Sequence, residues 1–252
     1  SNHNIAGIDL NMGCPAPRVY RKNVGGGLLR DPAQVDRILG ALRQAVDLPL
    51  TVKMRVGFEH SRDLDTMLKL VNRHQIDLLS LHGRTVKDMY HGPVDYQLIG
   101  KAVAEAHCPV LANGNVQSAT QSIEVLAQTK AAGVMVGRWA IGNPWIFCQI
   151  RQTQLGEPLT IPTFGEVRVY IDRLWQNSVM VTERARVGYL KMFLNYVAPN
   201  IDADGQFLRQ MRQAQTPQEL FEVCDRTLLQ DPQHPFALSP LDRTYTNLDK
   251  LD

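Results

Sequence analysis

A chain of 252 residues, 44% hydrophobic and 21% charged, fits one large globular domain or two smaller ones and excludes a disordered or low-complexity polymer. A net charge of +2 does not argue for a nucleic-acid partner by itself, because a basic face comes from clustering rather than from the total. Cys14, Cys108, Cys148 and Cys224 stand far apart, which excludes a disulfide scaffold and a zinc site, so no metal is expected and reduced, cytoplasmic thiols are the default. No apolar run approaches a membrane span, and residues 1–4 lead straight into a strand-like segment rather than a signal peptide.

Residues 8–10 form a first short apolar strand that ends in Asn11-Met12-Gly13-Cys14-Pro15. The glycines Gly25, Gly26 and Gly27 match neither a dinucleotide fingerprint nor a P-loop. Asp31-Pro32 opens a helix, with Asp as N-cap and Pro at the first helical position. Its apolar face is Val35, Ile38, Leu39, Leu42 and Val46. A second strand spans 50–54, followed by a helix carrying Leu64, Met67, Leu68 and Val71. A third spans 77–81 and ends at His82-Gly83-Arg84; a fourth spans 109–112 and ends at Asn113-Gly114. Ser118 caps a helix bearing Ile123, Val125 and Leu126, and a fifth strand, 133–136, ends at Gly137-Arg138. Strands at this spacing with crossover helices imply a parallel sheet.

Every strand ends in polar or glycine-rich residues, as in a (β/α) barrel, where chemistry sits at the C-terminal ends of the strands. Five such units make either an open sheet or a barrel short of three. After Trp145 the alternation stops. Residues 156–162 read as a linker, and helices are expected over 164–181, 185–197 and 217–229. The organisation predicted is an α/β domain over 1–155, a helical domain over 160–230, and a loosely ordered Pro- and Asp-rich tail over 231–252.

Four strand ends carry candidate chemistry. Cys14 is read equally as a small buried hydrophobe or as an accessible thiol, which is largely protonated at neutral pH and can donate a proton. Lys53, inside an apolar parallel strand, needs a partner for its ammonium; it is read as a cation facing an electron-rich group, against the alternative of a side chain snorkelling to solvent. His82 shares its level with Lys53 and Asn113. The turns Asn113-Gly114-Asn115 and Gly137-Arg138 suit an anion, since glycine admits backbone N–H groups close to a phosphate.

Taken together, these segments resemble the tRNA-dihydrouridine synthase family. The resemblance rests on Asn11-Met12-Gly13-Cys14-Pro15, Val52-Lys53-Met54-Arg55, His82-Gly83-Arg84-Thr85, Ala112-Asn113-Gly114 and Met135-Val136-Gly137-Arg138. Asn143-Pro144-Trp145-Ile146-Phe147 is similar to the bacterial B-type branch. The resemblance implies a TIM (β/α)8-type barrel that binds FMN, reduced by NADPH, followed by a helical domain that grips tRNA. It implies Cys14 as general acid at uracil C5, and Lys53 and His82 against the flavin and the uracil. It further implies Asn113, Gly114, Asn115, Gly137 and Arg138 at the FMN phosphate, and Asn11, Arg84 and Tyr90 near the substrate. Against that family's barrel the chain is expected to begin at the fourth strand and to act as a monomer. Two other readings stay open: another FMN barrel acting on a small molecule, and a non-catalytic remnant.

Overall fold

The structure, a computed structural model, describes residues 5–241. They separate into two compact units. One holds the chain up to Val116 together with Glu124–Val136; the other holds Gln117–Ile123 and everything from Gly137 onward.

The first unit is an α/β fold built on a five-stranded parallel sheet. Its strands are β1 (Ile8–Met12), β2 (Leu50–Arg55), β3 (Leu78–His82), β4 (Val110–Asn113) and β5 (Gly133–Met135), side by side in chain order. Sequential order with parallel pairing requires a crossover after each strand. Helices α1 (Pro17–Tyr20), α2 (Pro32–Ala45), α3 (Leu64–Arg73), α4 (Tyr96–Glu105) and α5 (Ala119–Thr129) lie on these connections, and α5 crosses the division between the units. Asp31 caps α2 by accepting from the Gln34 N–H, and Asp95 caps α4 by accepting from those of Gln97 and Leu98. Val52, Leu79 and Ala112 are fully buried and share a core with Val35, Leu39, Leu68, Val71 and Ile99 of the helices.

Four of the five strands run past the ends expected from the sequence. Asn11 and Met12, Arg55, His82 and Asn113 are ladder residues rather than the start of loops. Apolar runs end where the polar side chains begin, but the backbone ladder does not depend on side-chain polarity. The fifth strand stops at Met135, one residue short of the expected span.

The second unit contains α6 (Trp139–Gly142), α7 (Ile146–Leu155), α8 (Phe164–Gln176), α9 (Glu183–Val197), α10 (Gln206–Gln213) and α11 (Pro217–Leu228). Thr163 and Glu166 form a capping box at the start of α8, and Thr182 and Thr216 cap α9 and α11. The division between units falls at Gly137, ahead of α6 and α7 rather than in the 156–162 stretch. The helix expected to reach 181 ends at Gln176.

The expectation of a loose tail from Asp231 is corrected over its first part. The carbonyls of Pro232 and His234 accept from the N–H groups of Gly165 and Phe164, and the Phe236 N–H donates to Pro162. Phe236 is 1% exposed in the core of this unit. The bonds from Phe164 and Gly165 satisfy N–H groups at the start of α8 that have no partner within the helix. Residues 242–252 lie outside the described part. No helix among the described residues is long and apolar enough to cross a membrane.

Candidate active site

Alternation along the strands gives the sheet of the first unit two faces. One carries Leu50, Val52, Met54, Leu79, Leu81, Val110 and Ala112, all buried against the helices. The other carries, in register, the row Asn11, Lys53 and Ser80 and, two residues further on, the row Arg55, His82 and Asn113. Asn11 and Lys53 are direct cross-strand partners, as are Arg55 with His82 and His82 with Asn113. The sequence-predicted strand-end residues of β1 to β4 therefore meet at one end of one face.

Cys14 follows β1 by two residues. The Asn11 side-chain oxygen accepts from the Gly13 N–H at 3.0 Å, turning the chain sharply ahead of the thiol. Two of the three glycines, Gly25 and Gly26, then lie directly on Cys14. The Gly26 N–H donates to the Cys14 carbonyl at 3.1 Å. A Cβ at Gly26 would fall 2.7 Å from that oxygen, and one at Gly25 would fall 3.0 Å from the Cys14 Cβ. The glycines are thus required for close packing on the cysteine segment, and Cys14 itself stays half-buried.

Lys53 is half-buried, and its ammonium pKa is pulled below the usual lysine range. Burial is the main cause and the Arg55 charge adds to it, while Asp9 and Cys14 act in the opposite sense. Cys14 and Lys53 are therefore close enough to interact electrostatically.

On the β4 side, the Asn113 amide donates to the Met135 carbonyl at 2.8 Å, tying the end of β4 to that of β5. Gly114 and Asn115 then take successive positive φ values, +125° and +50°. A Cβ on Gly114 would lie 3.0 Å from Cδ2 of His82 and 2.9 Å from Val94, so both sterics and backbone conformation demand glycine there. Tyr96, the first residue of α4, donates its hydroxyl to the Gly114 carbonyl at 2.8 Å. Arg84 is buried; it donates to the Gly92 carbonyl and, at 3.3 Å, to the Asn115 side chain. Tyr90 lies against Arg55, whose guanidinium carbon is 5.5 Å from the ring centroid. Gly137 and Arg138 are the first residues of the second unit after β5.

Arg55 is the residue of this region that the sequence reading did not single out. It is 2% exposed and donates to the carbonyls of Gly13, Thr85 and Met89. Burial pulls its pKa down to about 10, which leaves it charged at neutral pH. The available signal was an arginine at the end of a strand buried in a parallel sheet, where a guanidinium must find acceptors. Among the described residues no three His, Cys, Asp or Glu side chains gather as a metal site.

The family model described as dihydrouridine synthase (Dus) matches residues 1–232. The chain is similar to tRNA-dihydrouridine synthase B of Pseudomonas putida, with 40% identity over 170 residues, 66% of this chain and 50% of that protein. It is 34% identical to the protein of the same name in Pseudomonas aeruginosa, over 82% of this chain and 64% of the relative. It is 36% identical to that of Vibrio parahaemolyticus, over 88% of this chain and 67% of the relative. The chain thus spans about half to two thirds of the length of these curated relatives. With nearly all of its described residues matched, the chain belongs to the dihydrouridine synthase family.

Proposed function

We propose that this chain is part of a tRNA-dihydrouridine synthase, an FMN-dependent oxidoreductase with a barrel-type catalytic domain. The reaction is reduction of the C5=C6 bond of particular uridines in the tRNA D-loop, with NADPH as reductant. The observation that carries the reading is Asn11 beside Lys53 on the polar face of the sheet, with Cys14 two residues past β1 and within electrostatic reach of Lys53. Family membership supports it.

The residues suit an anionic, electron-rich cofactor. Lys53 offers a half-buried cation, with His82 two residues further along the same face. The turn at Gly114 and Asn115 has the positive backbone angles of anion-receiving loops. In this reading Lys53 and His82 would contact the flavin ring, while Asn113, Gly114 and Asn115 would hold its phosphate. FMN, when bound and reduced by NADPH, would supply the hydride that ends on uracil C6. The thiol of Cys14 gives its proton to C5, so the base gains one hydride and one proton. The thiolate left behind is offset by the Lys53 ammonium, with which Cys14 interacts. Asn11, Arg84 and Tyr90 line the substrate side, and the target base has to be extruded from its stack to reach the thiol. The helices of the second unit fit a tRNA-gripping role, for which a small-molecule reductase has no need.

The test is a comparison of the wild-type chain with Cys14→Ala. Both are expected to take up FMN, seen as yellow flavin absorbance. The variant should lose roughly 100- to 10,000-fold in turnover on unmodified tRNA, the range for a missing general acid. Unchanged turnover removes Cys14 from the acid role, and a protein that takes up no FMN removes the cofactor reading.

A further inference from the structure

We propose that Arg55 is a positioning residue, whose guanidinium locks the segment presenting Cys14 to the loop over residues 84–92 and so fixes the thiol against the substrate side. The assignment rests on the reading of Cys14 as the acid.

Arg55 ends β2, two residues beyond Lys53 on the same face. Its Nε donates to the Gly13 carbonyl at 3.1 Å. One terminal nitrogen donates to the carbonyls of Thr85 at 2.7 Å and Met89 at 2.5 Å. The peptides on both sides of Gly13 are thereby held, its N–H by Asn11 and its carbonyl, in the peptide that joins it to Cys14, by Arg55.

The loop at the other end of these bonds is itself preformed. The Thr85 N–H donates to the Asp88 carboxylate at 2.8 Å, and the Asp88 N–H to the Thr85 hydroxyl at 3.1 Å. On its far side Arg84 bonds Gly92 and Asn115. Two buried arginines therefore bracket one loop: Arg55 anchors it to the cysteine segment, and Arg84 anchors it to the Asn113–Asn115 turn. Only a planar fork with several fixed donors reaches three carbonyls on two separate segments; a lysine ammonium on one flexible stem does not reproduce that geometry. A displacement of about 1 Å in a reacting group can cost on the order of 100-fold in rate, so a strut one peptide away from the thiol acts on turnover more than on affinity.

The experiment compares wild type with Arg55→Lys, which keeps the charge, and Arg55→Met. Read-outs are dihydrouridine formation on unmodified tRNA, flavin absorbance, and hydrogen exchange over residues 13–14 and 84–92. Arg55→Lys is expected to lose roughly 100-fold in kcat while KM for tRNA stays within about twofold. Its flavin content should be unchanged, and exchange should quicken in both segments. Wild-type kcat in Arg55→Lys overturns the proposal. So does a parallel loss of flavin, KM and sheet protection in both variants, which marks a merely structural arginine. A wild-type chain that forms no dihydrouridine defeats the proposed function instead. The strut is then judged on exchange alone: faster exchange in both segments upholds it, and unchanged exchange overturns it.

Discussion

On one face of the sheet in the first unit, Val52, Leu79 and Ala112 are each 0% exposed and pack on the helices. On the other face the same three strands carry Lys53, His82 and Asn113, and β1 adds the exposed Asp9 and Asn11. The two faces share one backbone and differ only in parity of position, so the difference between them separates folding from chemistry. The apolar face contributes the burial that holds the unit together. The polar face places desolvated or hydrogen-bonded charges where an ordinary core would place more Val and Leu, a pattern that marks function.

The largest stability effect expected from that contrast is on the apolar face. Leu79→Ala should cost about 2–5 kcal/mol in urea unfolding, the range for deleting a fully buried leucine side chain. A loss under about 1 kcal/mol would mean that the helices collapse readily onto the gap, which the tight packing of protein interiors argues against.

The apolar face was also the legible one. Val35, Leu39, Leu64, Leu68 and Val71 follow from periodicity and are all buried. The strand ends were read short because Asn11, Arg55, His82 and Asn113 stop the apolar runs without stopping the ladder. In the second unit α10 left little signal. Only Phe207, Leu208 and Met211 are apolar in a stretch of Gln and Arg. Its N-cap is Gly205 in the left-handed region, while the capping acceptor is Asp202, which takes the Phe207 N–H at 2.7 Å from five residues away. Phe236 was lost to composition, since a Pro- and Asp-rich stretch gives no hint that one aromatic ring anchors it. Within the candidate site the strand-end cluster could be read from position alone. The backbone-directed bonds of Arg55 and Arg84 could not, because carbonyl acceptors leave no mark in the identity of the residues that supply them.

Lys53→Met sharpens the contrast from the polar side. The folded-state pKa of Lys53 lies below the lysine value of the unfolded chain, chiefly through burial and then through the Arg55 charge. The unfolded chain therefore binds the proton more tightly. Stability rises as pH climbs from the folded to the unfolded pKa, and that increment is lost again as pH falls through the folded pKa. Methionine removes the buried ammonium at similar length. The variant should be more stable than wild type at neutral pH by less than the Leu79→Ala effect, and its advantage should shrink when unfolding is measured near pH 10. A variant that is less stable at neutral pH would show that Asp9 and Cys14 outweigh the burial cost.

The smallest effect is expected at Thr51, next to the Lys53 row. Its hydroxyl donates to the Asp9 carboxylate at 2.6 Å, in an exposed bond on the polar face. Water replaces such a bond at little net cost, so Thr51→Ala should change stability by no more than about 0.5 kcal/mol. The methyl group lost is only partly buried, which keeps the packing contribution small as well. Asp9 is one of the groups that favour the charged form of Lys53, and its carboxylate would be freed by the substitution. The pH slope assigned to Lys53 should therefore persist in Thr51→Ala, altered at most by that change in its neighbour. A loss of 2 kcal/mol or more would place this face in the same packed class as the helix side, and the division of labour between the two faces would fail.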